Sequence, residues 1–142
     1  MIDISKKKAV KREAKSSGKI ILKKDTIGKI RKKEIKKGDV FETAKIAGIN
    51  AVKQTQILIP HCHQIPIDFV DFKFVINESF IEVFCTVKAE AKTGVEMESL
   101  VGTSIALNTI WDMVKYLEKD EDGQYPSTKI TDIKVLKKIK GE

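Results

Sequence analysis

Apolar and polar residues alternate along two neighbouring segments in the middle of the chain. In residues 67–76 and 80–89, the apolar side chains that share one face are Val70, Phe72, Phe74, Ile76, Ile81, Val83, Cys85, Val87 and Ala89. A period of two residues is typical of β-strands with one buried face. Asn77-Glu78-Ser79 separates the segments and indicates a hairpin turn. The pattern therefore predicts an antiparallel pair of strands.

Two longer stretches have the spacing of helices. From Val40 to about Thr55, apolar residues recur three and four positions apart, and Asp39 just before them is suited to cap a helix. Ile59-Pro60 ends this element, because proline disfavours helix in the residue before it. From Glu96 to Leu117, a broad apolar face predicts a second helix of roughly five to six turns.

Shorter apolar runs at residues 19–23 and Ile130–Leu136 predict the first and last strands. The order is then β-α-β-β-α-β, the layout of a ferredoxin-like α+β fold with an antiparallel sheet and its helices on one face. Residues 1–18 are polar and end at Ser16-Ser17-Gly18, so we expect them to form a flexible basic N-terminal arm. Residues 19–142 are expected to form a single α+β domain.

The composition narrows the class of protein. A length of 142 residues suits one domain. Two cysteines, Cys62 and Cys85, cannot form a disulfide framework and are typical of a reducing cytosol. No apolar run reaches the ~20 residues of a membrane span, and the first residues are basic without the apolar core of a signal peptide. We therefore expect a cytoplasmic protein rather than a secreted, disulfide-rich or membrane-spanning one.

The net charge of +7 is concentrated in one part of the chain. Residues 1–40 hold 15 basic and 5 acidic side chains, whereas residues 41–142 hold 12 basic and 15 acidic ones. Such a basic segment attracts nucleic acid, phosphorylated metabolites or an acidic surface, unless it is only a solvated arm. Residues 1–40 contain no aromatic side chain to stack on bases, which weakens the single-stranded nucleic-acid interpretation.

Both histidines of the chain lie in one short segment, His61-Cys62-His63. In extended backbone the two imidazoles would point the same way and could ligate zinc, but a zinc site needs at least a third ligand. The alternatives are a loop histidine pair without chemistry, or acid–base and phosphate-contact work, because histidine titrates near neutral pH. No glycine-rich phosphate loop occurs, so phosphate binding would depend on Lys, Arg and His side chains.

Polar residues on and before the second predicted helix are further candidates. Asn108, Asp112 and Lys115 are spaced to share one helix face. They form either an exposed ion pair worth about a few tenths of a kcal/mol, or a carboxylate that positions a lysine, or exchanges a proton with it, beside a phosphate. Glu96 and Glu98 either stabilise the helix N-terminus through the macrodipole or hydrogen-bond the amino groups of a purine or pterin ring.

Several short motifs follow one another in a recognisable order along nearly the whole chain. They are Met1–Ser5 with Arg12-Glu13-Ala14, Lys37–Val40, Ala44–Ile49, Leu58-Ile59-Pro60 with Cys62-His63, Thr93–Glu98 and Thr109–Met113. Together they resemble the MoaC family, the cyclic pyranopterin monophosphate synthases of molybdenum cofactor biosynthesis. The Gly-Val-Glu-Met-Glu and Asp-Met-x-Lys elements are the most specific part of this resemblance.

The resemblance implies a lyase that converts (8S)-3′,8-cyclo-7,8-dihydroguanosine 5′-triphosphate to cyclic pyranopterin monophosphate with release of pyrophosphate. It implies a ferredoxin-like subunit and a homohexamer built as a trimer of dimers, with active sites at the dimer interface. From the residues themselves we expect no required cofactor and no metal site, because no carboxylate cluster demands magnesium, which would enter only as a companion of the triphosphate. No nucleic-acid or membrane partner is expected.

The family's motifs also place roles on positions of this chain. The acid–base aspartate and lysine match Asp112 and Lys115. Two further catalytic lysines match Lys37 and, through a less similar C-terminal segment, Lys138. The substrate-binding positions that match the family's motifs are Arg12, Cys62, His63, Glu96, Met97 and Glu98, and His61, where the family usually has leucine, is added as a candidate from this chain's own sequence.

The chain departs from the family pattern at three places. His61-Cys62-His63-Gln64 stands where the family usually has Leu-Cys-His-Pro, so the loop loses a proline and gains an imidazole. Trp111 stands where a tyrosine usually precedes the aspartate, and Lys137–Glu142 replaces a glycine-rich tail. Two competing classes are a nucleic-acid-binding module, whose binding would weaken steeply with salt, and a catalytically inactive oligomeric scaffold.

Overall fold

A computed structural model describes the whole chain, Met1–Glu142, which folds into four strands and four helices. In chain order these are β1 (Val10–Ile21), α1 (Lys24–Arg31), α2 (Val40–Lys53), α3 (Thr55–Leu58), β2 (Phe69–Ile76), β3 (Phe80–Ala91), α4 (Glu96–Glu118) and β4 (Lys129–Lys140). None of the helices combines the length and the apolar character needed to cross a membrane.

The four strands form one antiparallel sheet with the order β2-β3-β1-β4. The two long helices, α2 and α4, pack against each other and against the sheet over a core of 21 buried apolar residues. The β2–β3 hairpin, the start of α2 at Val40 and the start of α4 at Glu96 agree with the predicted elements. The ferredoxin-like α+β prediction is therefore confirmed.

The prediction of a flexible arm over residues 1–18 is wrong for its second half. β1 begins at Val10 and is an inner strand of the sheet, paired with β3 along its whole length and with β4 on its other side. Ala14, Ser16 and Ser17 are almost completely buried. The boundary at residue 18 therefore falls inside a strand, and only residues 1–9 precede the regular fold.

Small residues in the middle of β1 account for this error, because they allow α4 to cross the sheet closely. A Cβ atom at Gly18 would lie 2.7 Å from Leu107 Cδ1, which leaves room only for glycine. The Ser16 hydroxyl lies 2.8 Å from the carbonyl oxygen of Ser99 and 2.7 Å from the hydroxyl of Thr103. A Ser-Ser-Gly segment that is typical of a loop thus forms the contact surface for a helix.

The charged segment after β1 contains a helix, α1, that the periodicity did not indicate. Glu118, in the last turn of α4, explains how this helix is attached. Its carboxylate is completely buried and accepts hydrogen bonds from the backbone N–H of Lys23 and from the hydroxyls of Thr26 and Thr128. Glu118 therefore joins the start of α1 and the loop before β4 to the end of α4.

β4 continues to Lys140, beyond its predicted end at Leu136, and forms a free edge of the sheet. The lysines after Leu136 indicated a solvated tail, but Lys138 pairs with Ala14 of β1 and prolongs the strand. Residues 132–140 are exposed. The exposed residues include the apolar side chains Ile133, Val135, Leu136 and Ile139.

Candidate active site

Two lysines converge on one aspartate in the C-terminal half of α4. Lys115 Nζ lies 3.2 Å from Asp112 Oδ1, one helical turn away. Lys37 Nζ, from the loop before α2, lies 3.2 Å from Asp112 Oδ2 and 2.7 Å from the Asp112 carbonyl oxygen. All three side chains remain partly exposed to solvent. We call these three residues the lysine–aspartate cluster.

The loop that carries Lys37 is fastened on both sides. The Asp39 carboxylate caps the first turn of α2 by accepting a backbone N–H at 3.0 Å. On the other side, the backbone N–H of Lys36 donates to the Tyr116 hydroxyl of α4 at 2.9 Å. The loop is therefore attached to both long helices, which places the Lys37 ammonium beside Asp112.

The charges of the cluster act on one another. Hydrogen bonds from Lys115 and from Lys37 lower the pKa of the Asp112 carboxyl. Asp112 is therefore a carboxylate at neutral pH and orients both ammonium groups. Since each ammonium has three N–H donors, each keeps capacity for an anionic ligand after binding Asp112.

The other predicted residues meet at the opposite, N-terminal end of α4. Here a cavity of about 480 Å³ opens to solvent. Its lining includes His61, Cys62, His63, Glu96, Met97 and Glu98. Lys138 of β4 reaches the same place, where its ammonium lies 3.2 Å from Glu96 Oε1. We call this space the His63 cavity.

Glu98 is a buried carboxyl of the His63 cavity, with 4% of its surface exposed. Burial raises the pKa of Glu98, and the neighbouring Glu96 carboxylate raises it further. Burial and the nearby Glu98 also raise the pKa of the Cys62 thiol. Cys62 is therefore a poor nucleophile, and Glu98 binds a proton more readily than an exposed glutamate does.

Arg12 lies beside the His63 cavity rather than in its lining. Its side chain is almost buried, and the guanidinium donates to the carbonyl oxygens of Ala91 and Lys92, both at 3.3 Å. These two residues lead from β3 into the Thr93-Gly94 segment of the cavity wall. Arg12 thus fixes that wall, and a direct contact with substrate stays a prediction.

The two groups of residues are well separated within one chain. Glu98 and Asp112 are fourteen positions apart on α4, which corresponds to about 21 Å along the helix axis at 1.5 Å per residue. Lys37 and Lys115 belong to the Asp112 end, while His63 and Lys138 belong to the Glu98 end. The structure therefore divides the predicted site into two halves at opposite ends of one helix.

The His63 cavity also contains residues that received no role from the sequence. Met1, Ile2, Ile4 and Lys7 form part of its lining. For Met1, Ile2 and Ile4 the signal was present, because Met1–Ser5 was one of the motifs that carried the family resemblance, whereas Lys7 lies outside that motif. The polar, basic composition around them predicts a flexible arm instead.

The zinc alternative for the histidine pair lacks a ligand set. The structure contains no group of three or more His, Cys, Asp or Glu side chains placed to hold a metal ion. His63 Nε2 instead lies 2.8 Å from the carbonyl oxygen of Ile2. In this chain, the contact that His63 makes is therefore a hydrogen bond to backbone.

Known proteins match this chain along nearly its full length. It is 58% identical over 140 residues to the probable cyclic pyranopterin monophosphate synthase of Sulfolobus acidocaldarius, which covers 99% of this chain and 98% of that relative. The protein of the same name from Thermococcus kodakarensis is 54% identical over 142 residues, covering 100% of this chain and 91% of that relative.

A third relative, the probable cyclic pyranopterin monophosphate synthase accessory protein of Methanothermobacter thermautotrophicus, is 51% identical over 142 residues, covering 100% of this chain and 89% of that relative. Residues 1–141 match the MoaC family. Both findings agree with the motifs quoted from the sequence, and the chain belongs to the MoaC family.

Proposed function

We propose that this chain is a cyclic pyranopterin monophosphate synthase, a lyase that converts 3′,8-cyclo-7,8-dihydro-GTP to cyclic pyranopterin monophosphate and pyrophosphate. The observation that carries the proposal is the convergence of Lys37 and Lys115 on Asp112. It puts two cations and a fixed carboxylate at one point, as a triphosphate substrate and a proton transfer require. The synthase names of relatives that match over nearly the full length support the same activity.

The cations prepare the leaving group. The triphosphate carries several negative charges, and pyrophosphate leaves poorly until they are neutralised. Lys37 and Lys115 supply two cations from the lysine–aspartate cluster. Lys138 supplies a third cation at the His63 cavity, where it exchanges its present partner, Glu96, for the phosphate, and Arg12 adds positive charge beside the cavity.

The guanine-derived ring is held by the His63 cavity. Its volume of about 480 Å³ lies within the roughly 300–1,000 Å³ range of small-molecule sites. The carboxyl groups of Glu96 and Glu98 hydrogen-bond the amino and ring N–H groups, and Met97 packs between them. The remaining substrate contacts of the cavity come from His61, Cys62 and His63.

Proton transfer is assigned to the lysine–aspartate cluster. Asp112 holds the Lys115 ammonium at 3.2 Å and so fixes the direction of its N–H bonds. Lys115 acts as the general acid or base, and Asp112 stabilises its charged form. No protein-bound cofactor is required in this mechanism, and magnesium enters only as a companion of the triphosphate. We expect the protein to carry out this reaction in the cytoplasm.

A complete site needs two copies of the chain. The lysine–aspartate cluster of one protomer is about 21 Å along α4 from its own Glu98, too far for one nucleotide-sized substrate to bridge easily. β4 runs alongside α4, with Thr128 bonded to Glu118 at one end and Lys138 paired with Glu96 at the other. When two copies pack through this α4–β4 surface about a twofold axis, the α4 helices run in opposite directions. The lysine–aspartate cluster of one copy then lies beside the His63 cavity of the other.

The exposed apolar side chains of β4 favour such an interface. Ile133, Val135, Leu136 and Ile139 lie on an edge strand, where uncovered apolar residues promote association. We propose that dimers with shared sites assemble further into a homohexamer, a trimer of dimers.

The activity is tested with the purified protein and the cyclised dihydro-GTP. Release of pyrophosphate together with appearance of the pyranopterin product supports the proposal. The assay is repeated with an RNA competitor, because a nucleic-acid-binding protein would bind RNA in a strongly salt-dependent way. Normal assembly without turnover would point to an inactive scaffold and contradict the proposal.

The shared site is tested by mixing two inactive variants. Lys115→Ala disables one half of the site and Glu98→Ala disables the other. After unfolding and refolding together, mixed dimers contain one site with both halves intact, so about a quarter of the wild-type activity returns from an equal mixture. If both halves came from the same protomer, mixing would restore nothing, and the shared-site arrangement would be wrong.

A further inference from the structure

The segment before β1 is folded against the His63 cavity. The carbonyl oxygen of Ile2 lies 2.8 Å from His63 Nε2. Met1, Ile4 and Lys7 also belong to the residues that line this cavity. Residues 1–7 therefore form one wall of the space to which we assign the ring of the substrate.

Internal hydrogen bonds give this segment a defined shape. The backbone N–H of Ser5 donates to Asp3 Oδ1 at 2.8 Å, which bends the chain at Asp3. The backbone N–H of Lys7 donates to the carbonyl oxygen of Ile4 at 3.0 Å, which adds a second turn. Lys92, at the start of the β3–α4 connection, places its ammonium 3.5 Å from the Ser5 carbonyl oxygen.

The contact with Ile2 determines which nitrogen of His63 carries a proton. A carbonyl oxygen can only accept a hydrogen bond, so Nε2 must be the donor and must be protonated. In the neutral ring, Nδ1 is then the unprotonated nitrogen. Nδ1 is therefore the one nitrogen of His63 that can gain or release a proton while the contact persists.

We propose that residues 1–7 are a positioning segment of the active site, in which the Ile2 carbonyl holds the His63 imidazole with Nε2 protonated and Nδ1 available to the substrate. This inference rests on the proposed function for its substrate. It makes residues 1–7 a part of the catalytic apparatus, whereas the sequence predicts that they belong to a flexible basic N-terminal arm.

Three substitutions within the segment separate this role from a general effect of altering the N-terminus. Asp3→Ala removes the acceptor that bends the segment, so Ile2 loses its place beside His63. Asp3→Asn keeps an oxygen acceptor at the same position and should preserve the bend. Lys6→Ala is the matched control, because Lys6 is exposed and none of the hydrogen bonds above involves its side chain.

The first measurement is the protonation pattern of His63 by ¹⁵N NMR, with the His61→Gln protein used to assign the two rings. In the wild-type protein we expect the neutral His63 ring to occur only as the Nε2–H form. In Asp3→Ala the Nδ1–H form should become detectable, whereas Asp3→Asn and Lys6→Ala should keep the wild-type pattern. A neutral Nδ1–H form in the wild-type protein would overturn the proposal.

The second measurement is steady-state kinetics with the cyclised dihydro-GTP. Misplacing a positioned group by about an ångström costs up to ~100-fold, and for Asp3→Ala we expect kcat/KM to fall by about tenfold. Asp3→Asn should recover most of this loss, and Lys6→Ala should equal the wild type. Unchanged kinetics in Asp3→Ala would overturn the positioning role. If the NMR result holds but the wild-type protein shows no turnover, the proposed function fails while the arrangement of the His63 ring stands.

Discussion

Lys115 and Asp112 form an ion pair of 3.2 Å within one turn of α4, and their side chains are 42% and 60% exposed. Exposed ion pairs contribute at most about 1 kcal/mol to stability, because water screens them and two long side chains lose freedom. Lys37 adds a second ammonium to the same carboxylate at 40% exposure. The arrangement therefore contributes little to folding, which agrees with the proposed role of these residues at a bound anion.

Replacing either member of this pair should reduce turnover without unfolding the protein. For Asp112→Ala and Lys115→Ala we expect kcat to fall about 100-fold or more, the usual scale for a positioned proton-transfer group. Lys115→Arg should not recover it, because arginine keeps the charge but does not release a proton near neutral pH. Steady-state kinetics and thermal unfolding of each variant provide the test.

Lys119→Ala is the control for these variants, because Lys119 follows α4 and is exposed. It should keep both wild-type turnover and the wild-type midpoint of unfolding. Near-normal turnover in Asp112→Ala would remove Asp112 from the mechanism. A large drop in the unfolding midpoint of Lys115→Ala would show instead that the pair is structural.

Glu98→Gln should make the protein more stable at neutral pH and less active. Burial raises the pKa of Glu98 in the folded state, so the folded protein binds its proton more tightly than the unfolded chain does. Stability is then lost as the pH rises from the unfolded pKa of about 4.3 through the raised folded value. Glutamine removes this loss, because it has no charge to bury.

The expected result for Glu98→Gln is a higher Tm at pH 7 and no difference at pH 3, where glutamate is protonated in both states. Activity should fall at both the low and the high end of the pH range in which the enzyme works. The reason is that glutamine has one acceptor oxygen for the substrate ring, whereas a carboxylate has two. Glu90→Gln, at an exposed glutamate of β3, is the control. Equal Tm values for Glu98→Gln and wild type at pH 7 would contradict the assigned cost of burying this carboxyl.

The strands and helices with one clear periodicity could be predicted from the sequence, whereas β1 could not. Val83, Cys85 and Val87 repeat every second residue because one face of β3 is buried under the helices. In the same layer of the core, β1 carries the small residues Ser16 and Gly18, because α4 lies too close to β1 for larger side chains. Local composition cannot reveal a requirement that a distant helix imposes.

Motifs named the candidate site residues, but the contacts that these residues make in the fold could not be predicted. A motif names Lys37 and Asp112 without giving their distance, and their contact depends on a loop fastened by Tyr116. The separation of Asp112 from Glu98 follows from placing both on one helix, which was already visible in the sequence. The contact of Ile2 with His63 depends on the path of residues 1–7 and has no periodic signal.

Glu118→Ala should destabilise the protein strongly, although Glu118 touches no residue of the proposed site. Its buried carboxylate accepts from the Lys23 backbone N–H and from the Thr26 and Thr128 hydroxyls. Removing it leaves these donors without an acceptor, and each buried unsatisfied group costs about 1–3 kcal/mol. We expect a loss of about 3 kcal/mol in the free energy of unfolding, measured by urea denaturation.

The control is Glu121→Ala, at an exposed glutamate in the loop after α4, which should change the free energy of unfolding little. An equally small change in Glu118→Ala would show that water replaces the carboxylate.

Lys33→Gly should stabilise the end of α1. Lys33 has a φ of 57°, and it donates its backbone N–H to the Ile30 carbonyl while Glu34 donates to the Lys29 carbonyl. This is the hydrogen-bond pattern of a helix C-terminus that glycine usually completes. A left-handed conformation costs a non-glycine residue roughly 1–2 kcal/mol, and glycine loses about 0.5–1 kcal/mol through its freedom in the unfolded chain. We expect a net gain of about 0.5–1 kcal/mol in the free energy of unfolding, measured by urea denaturation.

The control is Lys32→Gly, at the preceding residue, which has a φ of −83°. This substitution relieves no left-handed backbone and should destabilise the protein. Stabilisation by Lys32→Gly, or destabilisation by Lys33→Gly, would contradict this account.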